Sequence, residues 1–234
     1  MVGRQSCVAG HGMLLSAPMR TPRTSAAIRA LRGVAAPARL RGRADDSAAR
    51  LAEGRAGLPY AATMDASDVE PTSRHRPPDN AGERDTLAGV LDFLRATVVN
   101  KVAGLTERDA FRESVPPSTL SAAGVVKHLT GVERFWFSID FADADLPWPW
   151  TAQDPHGNFR PDKAETLAGI VADYRSECQR SREVADAAAL DDVARSDGMT
   201  FKLRYAMVHM IEETARHCGH LDLLRERIDG VTGE

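Results

Sequence analysis

From about residue 83 onward, apolar residues recur at the three- and four-residue spacing of an α-helix. In ERDTLAGVLDFLRATVVNKVAGL, residues Leu87, Val90, Leu91, Leu94, Val98, Val102 and Leu105 form one stripe, and Gly104 is placed to stop the helix. The following FRESVPPSTL contains consecutive prolines, which exclude helix. Ser121 can then cap SAAGVVKHLTGVERFWFSI, a second helix with the stripe Val125, Val126, Leu129, Val132 and Trp136. Residues 140–161, DFADADLPWPWTAQDPHGNFRP, hold four prolines and two of the three tryptophans, so no regular element fits there. A loop of that length inside a compact domain is expected to cross the bundle and cover an opening.

Asp162 and Glu165 have capping-box spacing ahead of a third helix, whose stripe is Leu167, Ile170, Val171, Tyr174 and Cys178. SDGMT breaks it, and a fourth helix is expected from near Thr200 to about Ile228, closed by Gly230. No strand pattern and no internal repeat is evident. The expected fold is all-α, a four-helix bundle with a long loop between the second and third helices, in which side chains of facing helices build interior sites.

Residues 1–82 break this periodicity. They are rich in Ala, Arg, Gly, Ser and Pro and are expected to form a disordered tail and linker, leaving 83–234 as the folded domain. Residues 1–63 carry ten arginines, no lysine and three acids. Such a leader fits an organelle transit peptide or an upstream reading-frame extension with Met64 as the working start, and the Ala/Arg-heavy composition favours the second. VAGHGMLLSAPM is too short and broken for a secretory signal.

The net charge of −3 gives no sign of a nucleic-acid partner. No run approaches the ~18 apolar residues that a membrane-spanning helix needs. Three widely spaced cysteines, Cys7, Cys178 and Cys218, argue against a disulfide framework and for a reducing compartment, so a cytoplasmic protein is expected.

The fourth helix departs from ordinary amphipathic patterning at HMIEETARHCGH, residues 209–220. Glu213 and His217 lie one turn apart, about 40° from each other in projection. Ala206, Met210, Leu221, Leu224 and Ile228 share their sector, so Glu213 points inward, where an unpaired carboxylate is costly. On the second helix His128 lies at the edge of the apolar arc, flanked by Gly124 and Gly131, which admit a neighbouring backbone or a ligand.

Two neutral imidazoles and a carboxylate suit Zn²⁺ with an open fourth position. The competing reading is that Glu213 pairs with Arg216 or Arg134. His209 and His220 project to the same side as Glu213, so His217 with His220 is an alternative ligand pair. Glu133 falls inside the apolar arc of the second helix, where a structural ion pair is expected. Cys218 projects about 100° from His217, away from the cluster, and is expected to pack rather than react. His156, His11 and His75 are isolated.

The segments VVKHLTGVERFWF and HMIEETARHCGHLDLLRERIDG, about 70 residues apart, resemble the actinobacterial branch of the DinB-like metal-binding proteins, over about residues 83–230. That branch is similar to mycothiol-dependent maleylpyruvate isomerase and the mycothiol S-transferases. The resemblance implies a four-helix bundle with a divalent metal, usually zinc, held by His128, Glu213 and His217. Many DinB-like proteins have His where this chain has Glu213.

It further implies a low-molecular-weight thiol, mycothiol or in other bacteria bacillithiol, as co-substrate, and its attack on an electrophilic small molecule in detoxification or stress response, giving conjugation (an S-transferase) or, with a suitable substrate, isomerisation (an isomerase). A non-catalytic metal or small-molecule binding module and a metal-dependent hydrolase are the alternatives. His220, His209 and Arg225 are candidates for contacts behind the ligands or with substrate. The expected partners are therefore a thiol and an electrophile, with a homodimer as a candidate assembly and neither nucleic acid nor membrane.

Overall fold

The computed structural model describes residues 68–233; the expectations about the Arg-rich leader and the Met64 start fall outside them. Four long helical segments carry the fold: α1 (Glu83–Val102), α3 (Ala122–Glu133) continued by a π-helix (Arg134–Phe141), α4 (Leu167–Asp186) and α5 (Leu203–Asp229). A one-turn helix, α2 (Glu107–Ala110), and a 3₁₀ turn (Gly157–Phe159) lie in the connections. Val193 and Lys202 form an isolated antiparallel bridge, and the described residues contain no β-strand. The helical bundle read from the periodicity is the observed fold.

Local chemistry accounts for most helix ends. Ser121 Oγ accepts from Gly124 N at 3.1 Å and opens α3. Gly104 and Gly230, with φ of +73° and +78°, follow α1 and α5 in the left-handed conformation that glycine adopts at low cost.

Two starts differ from expectation. Asp162 does not cap α4. The Glu165 carboxylate accepts from Asp162 N and closes a turn there, while Thr166 Oγ1, accepting from Gly169 N at 3.1 Å, is the true cap. The Leu167 N–H donates to the carboxylate of Glu107 at 2.9 and 3.1 Å, so α2, unseen in the sequence, satisfies the start of α4 from 60 residues away. The fourth long helix begins at Leu203 rather than Thr200. Leu203 N and Arg204 N donate to the carbonyls of Asp192 and Leu190 at 3.0 Å, so this end needs no side-chain cap.

The stretch 71–82, expected as a linker, contains no helix or strand and lies along the bundle. Asn100 on α1 pairs its amide with both the N–H and the C=O of Thr72 at 2.7 and 2.9 Å. Val69 is buried in the core and Arg76 lies 4.3 Å over the Phe93 ring.

The interior has two apolar clusters. One gathers Val98, Val102, Val125, Leu129, Tyr174 and Leu221; the other gathers Leu91, Phe137, Phe141, Leu203, Met207 and Met210. Between them every long segment presents buried polar residues: Arg95 on α1, Glu133 on α3, Glu177 and Ser181 on α4, and Glu213, Thr214 and His217 on α5. The site is built in this polar layer. Among the described residues no helix is long and apolar enough to cross a membrane.

Candidate metal centre

α5 supplies Glu213 and His217 from successive turns of its inner face, and α3 packs against it with His128. All three side chains are buried, at 8%, 5% and 3% exposure. His128 Nε2 and His217 Nε2 lie 3.3 and 3.2 Å from the same oxygen, Glu213 Oε1. The other oxygen, Oε2, accepts from Arg216 at 2.9 Å, so the guanidinium leaves Oε1 to the imidazoles. Behind His217, His220 Nδ1 stands 3.2 Å from His217 Nδ1 and fixes the ring through its far nitrogen.

Burial pushes the Glu213 carboxyl up, but the hydrogen bonds from His128 and His217 outweigh it and hold the group well below the usual carboxylate range. Burial, the largest influence on His217, lowers its pKa and favours the neutral ring. An ionised carboxylate beside neutral imidazole is the donor state that binds a divalent cation.

One ligand atom from each residue lies within 4.8 Å of the other two. In a tetrahedral zinc site with bonds of ~2.0–2.1 Å, neighbouring ligand atoms stand about 3.3–3.4 Å apart. The two imidazole-to-carboxylate separations already match that edge. The donor set and its spacing therefore fit a divalent metal, with Glu213 as a single-oxygen ligand. This is the one His/Cys/Asp/Glu group of such geometry among the described residues.

The long loop covers the cluster. The Phe159 ring stacks on His128 with centroids 3.8 Å apart and planes 11° from parallel, and its centroid is 5.7 Å from that of His217. Glycines make that approach possible: a Cβ at Gly124 would sit 2.2 Å from the Phe159 carbonyl oxygen, and one at Gly131 2.7 Å from Pro149 Cβ. What the two glycines of α3 admit is thus the loop itself. Gly124→Ala is expected to push the 157–159 turn off α3, costing about 1–3 kcal/mol of stability and breaking the ring stack. Urea unfolding together with the NMR shifts of the His128 and Phe159 rings measures both.

Other residues singled out in the sequence lie elsewhere. His209, one turn before Glu213, faces Trp136 at 4.3 Å and stacks on Tyr205. Arg225 lies eight residues beyond His217, roughly 12 Å along the helix, and its guanidinium is committed to the carbonyls of Lys101 and Ala103 and to Asp229. It ties the end of α1 to α5.

Cys218 Sγ faces the Leu94 carbonyl, and burial pushes its thiol up to about 12, so it stays protonated. Arg134 pairs with Glu177 instead of Glu213, and Glu133 forms the expected structural ion pair, with Arg95. Sequence spacing did not single out Phe159. Its signal is the PHGNF turn, whose glycine and aromatic have meaning only once Gly124 and Gly131 are seen as a smooth face.

A search of curated proteins finds no match. The family description "Mycothiol-S-transferase" matches residues 86–230, well over half of the chain, spanning α1 through α5 and all three members of the cluster. With a helical bundle, a buried His/Glu/His group between α3 and α5 and this match in place, the chain belongs to the mycothiol-S-transferase family, a DinB-like family.

Proposed function

We propose that the protein is a zinc-dependent thiol S-transferase that joins a low-molecular-weight thiol, mycothiol, to an electrophilic small molecule in detoxification or stress response. The observation that carries this reading is the convergence of His128 Nε2, His217 Nε2 and Glu213 Oε1 in the polar layer of a mycothiol-S-transferase-family bundle. His128, Glu213 and His217 would hold the metal. When bound, a divalent cation stabilises thiolate over thiol, so a nucleophile exists at neutral pH without a protein cysteine.

The chain's own groups do the rest. Arg216 fixes Glu213 by its outer oxygen, His220 orients His217, and Phe159 shields His128 from water on one ring face. Cys178 and Cys218 take no part, since burial raises both thiols. In the transfer, the thiol gives up its proton to solvent, its sulfur as thiolate forms a bond to the electrophilic carbon, and the carbon's leaving group departs with its electron pair.

The test is turnover of a chromogenic aryl halide by purified protein supplied with Zn²⁺ and mycothiol. The expected result is a thiol-dependent rate that falls to background in His128→Ala; equal rates in the two proteins would refute the reading. A second reading, a metal-binding module without turnover, is favoured by the burial of all three side chains, with Phe159 stacked on His128. It gains if chelation lowers the melting temperature while a broad screen of thiols and electrophiles gives no product.

A further inference from the structure

On the face of α3 adjoining His128, a cavity of about 220 Å³ opens between α3, α4 and the 142–166 loop. It is many times the ~10–15 Å³ that one water needs. Gly131, Pro149 and Ile170 give it apolar walls. Asn158 also lines it, is only 5% exposed, and has no hydrogen-bond partner among the described residues for either Nδ2 or Oδ1. A buried carboxamide with neither donor nor acceptor satisfied costs roughly 1–3 kcal/mol per unmet group. A well-packed loop has no structural use for one.

The charged groups around the cavity cancel. Lys127 Nζ is held by Glu165 at 2.6 Å, Arg134 Nε by Glu177 at 3.0 Å, and the lining cations Lys127 and Arg134 are matched in number by the lining acids Glu165 and Asp173. Nothing there favours an anion or a cation. What remains unsatisfied is one N–H donor group and one carbonyl acceptor, side by side on a single planar amide.

We propose that this cavity is a binding site for a neutral small molecule, or a neutral part of a larger one, that presents an N–H donor and a carbonyl acceptor on one carbon as a carboxamide does, with Asn158 as the residue that recognises it. Asn158 Nδ2 donates to the ligand's carbonyl and Asn158 Oδ1 accepts its N–H. Asn158 and Phe159 are consecutive residues of one 3₁₀ turn, and Phe159 lies on His128. An occupant that holds Asn158 therefore also holds the ring against the cluster. Occupancy of the cavity does not depend on His128 being a metal ligand.

The experiment is an NMR titration of the full-length protein with acetamide, run once after chelation and once with Zn²⁺. The readouts are the Asn158 side-chain NH₂, the Gly131 backbone amide and the Phe159 ring. The expected result is a saturable shift of all three in both metal states. Acetone, which has the acceptor without the donor, should bind about tenfold more weakly. In Asn158→Leu and Asn158→Ser the acetamide response at Gly131 should weaken by about tenfold or more.

The absence of a saturable shift, an equal response to acetone, or an undiminished response in Asn158→Ser would overturn the proposal. Because the readout is binding in chelated as well as zinc-loaded protein, its outcome is independent of whether thiol transfer occurs.

Discussion

Glu213→Gln is expected to lower zinc affinity by about 100-fold or more, the largest loss of any single substitution outside the two imidazoles. Glutamine keeps the shape of the side chain, but its single oxygen is needed to accept from Arg216, so the change puts an uncharged, non-ligating NH₂ where a carboxylate oxygen faces both His128 and His217. The carboxylate charge matters because the group is 8% exposed and water cannot replace it.

Removal of His220 acts through one contact on the far side of His217 and should cost about tenfold. His209→Ala and Cys218→Ala should cost little, since His209 faces Trp136 and Tyr205 and Cys218 faces the Leu94 carbonyl. Competition against a chromophoric chelator ranks the four variants, and elemental analysis counts the bound metal. Equal metal content across all four would show that Glu213 is an internally paired acid and no ligand.

The second large effect concerns stability. Arg95→Met should destabilise the bundle by about 3–5 kcal/mol, because it leaves the carboxylate of Glu133 without its cation in a position that solvent does not reach. The pair is bidentate, with Arg95 Nε and Nη2 each 2.7 Å from an oxygen of Glu133, and the Arg95 Nη1 also reaches Asp92. Burial works against the guanidinium charge, and Glu133 more than offsets it, so the arginine is held charged.

Restoring the balance by Arg95→Met with Glu133→Leu should recover most of the loss, since a buried ion pair exchanged for packed apolar side chains is close to neutral. Urea unfolding of the two singles and the double forms a complete cycle. If Arg95→Met alone unfolds at the wild-type midpoint, the pair contributes nothing to the polar layer and that part of the description fails. The same cycle should leave zinc affinity nearly unchanged, because neither residue touches the His128 cluster.

The helical class was legible in the chain because each long helix carries its own apolar stripe and its own local stops: Ser121 before α3, Gly104 after α1, Gly230 after α5. The i, i+4 placement of Glu213 and His217 was legible for the same reason, since a helix puts side chains four apart on one face whatever surrounds it. The same helical geometry separated Cys218 from the cluster. The spacing did not choose among the histidines. His209 and His220 shared the sector, and only the rings opposite them told them apart: Trp136 and Tyr205 beside His209, His217 beside His220.

Misplaced boundaries arose where the partner was remote in sequence. Asp162 and Glu165 carry capping-box chemistry, yet α4 is capped by Thr166, and Glu107 of α2 receives its first N–H. α5 starts on carbonyls of the 187–202 connection. Arg225 is a candidate for substrate contact in the sequence because nothing in its own helix shows the end of α1, whose carbonyls it binds.

Sequence alone therefore determined what local periodicity controls: four long helical segments, their inner faces, and a carboxylate one turn from an imidazole on one of those faces. The tertiary structure decided everything that needed a second segment: that His128 meets Glu213 Oε1, that the loop passes Gly124 and Gly131 so that Phe159 lies on His128, and that Asn158 is left buried with its amide unsatisfied. The division has one physical cause. Backbone geometry relates residues within a helix regardless of context, whereas contacts between helices depend on the packing of the whole core.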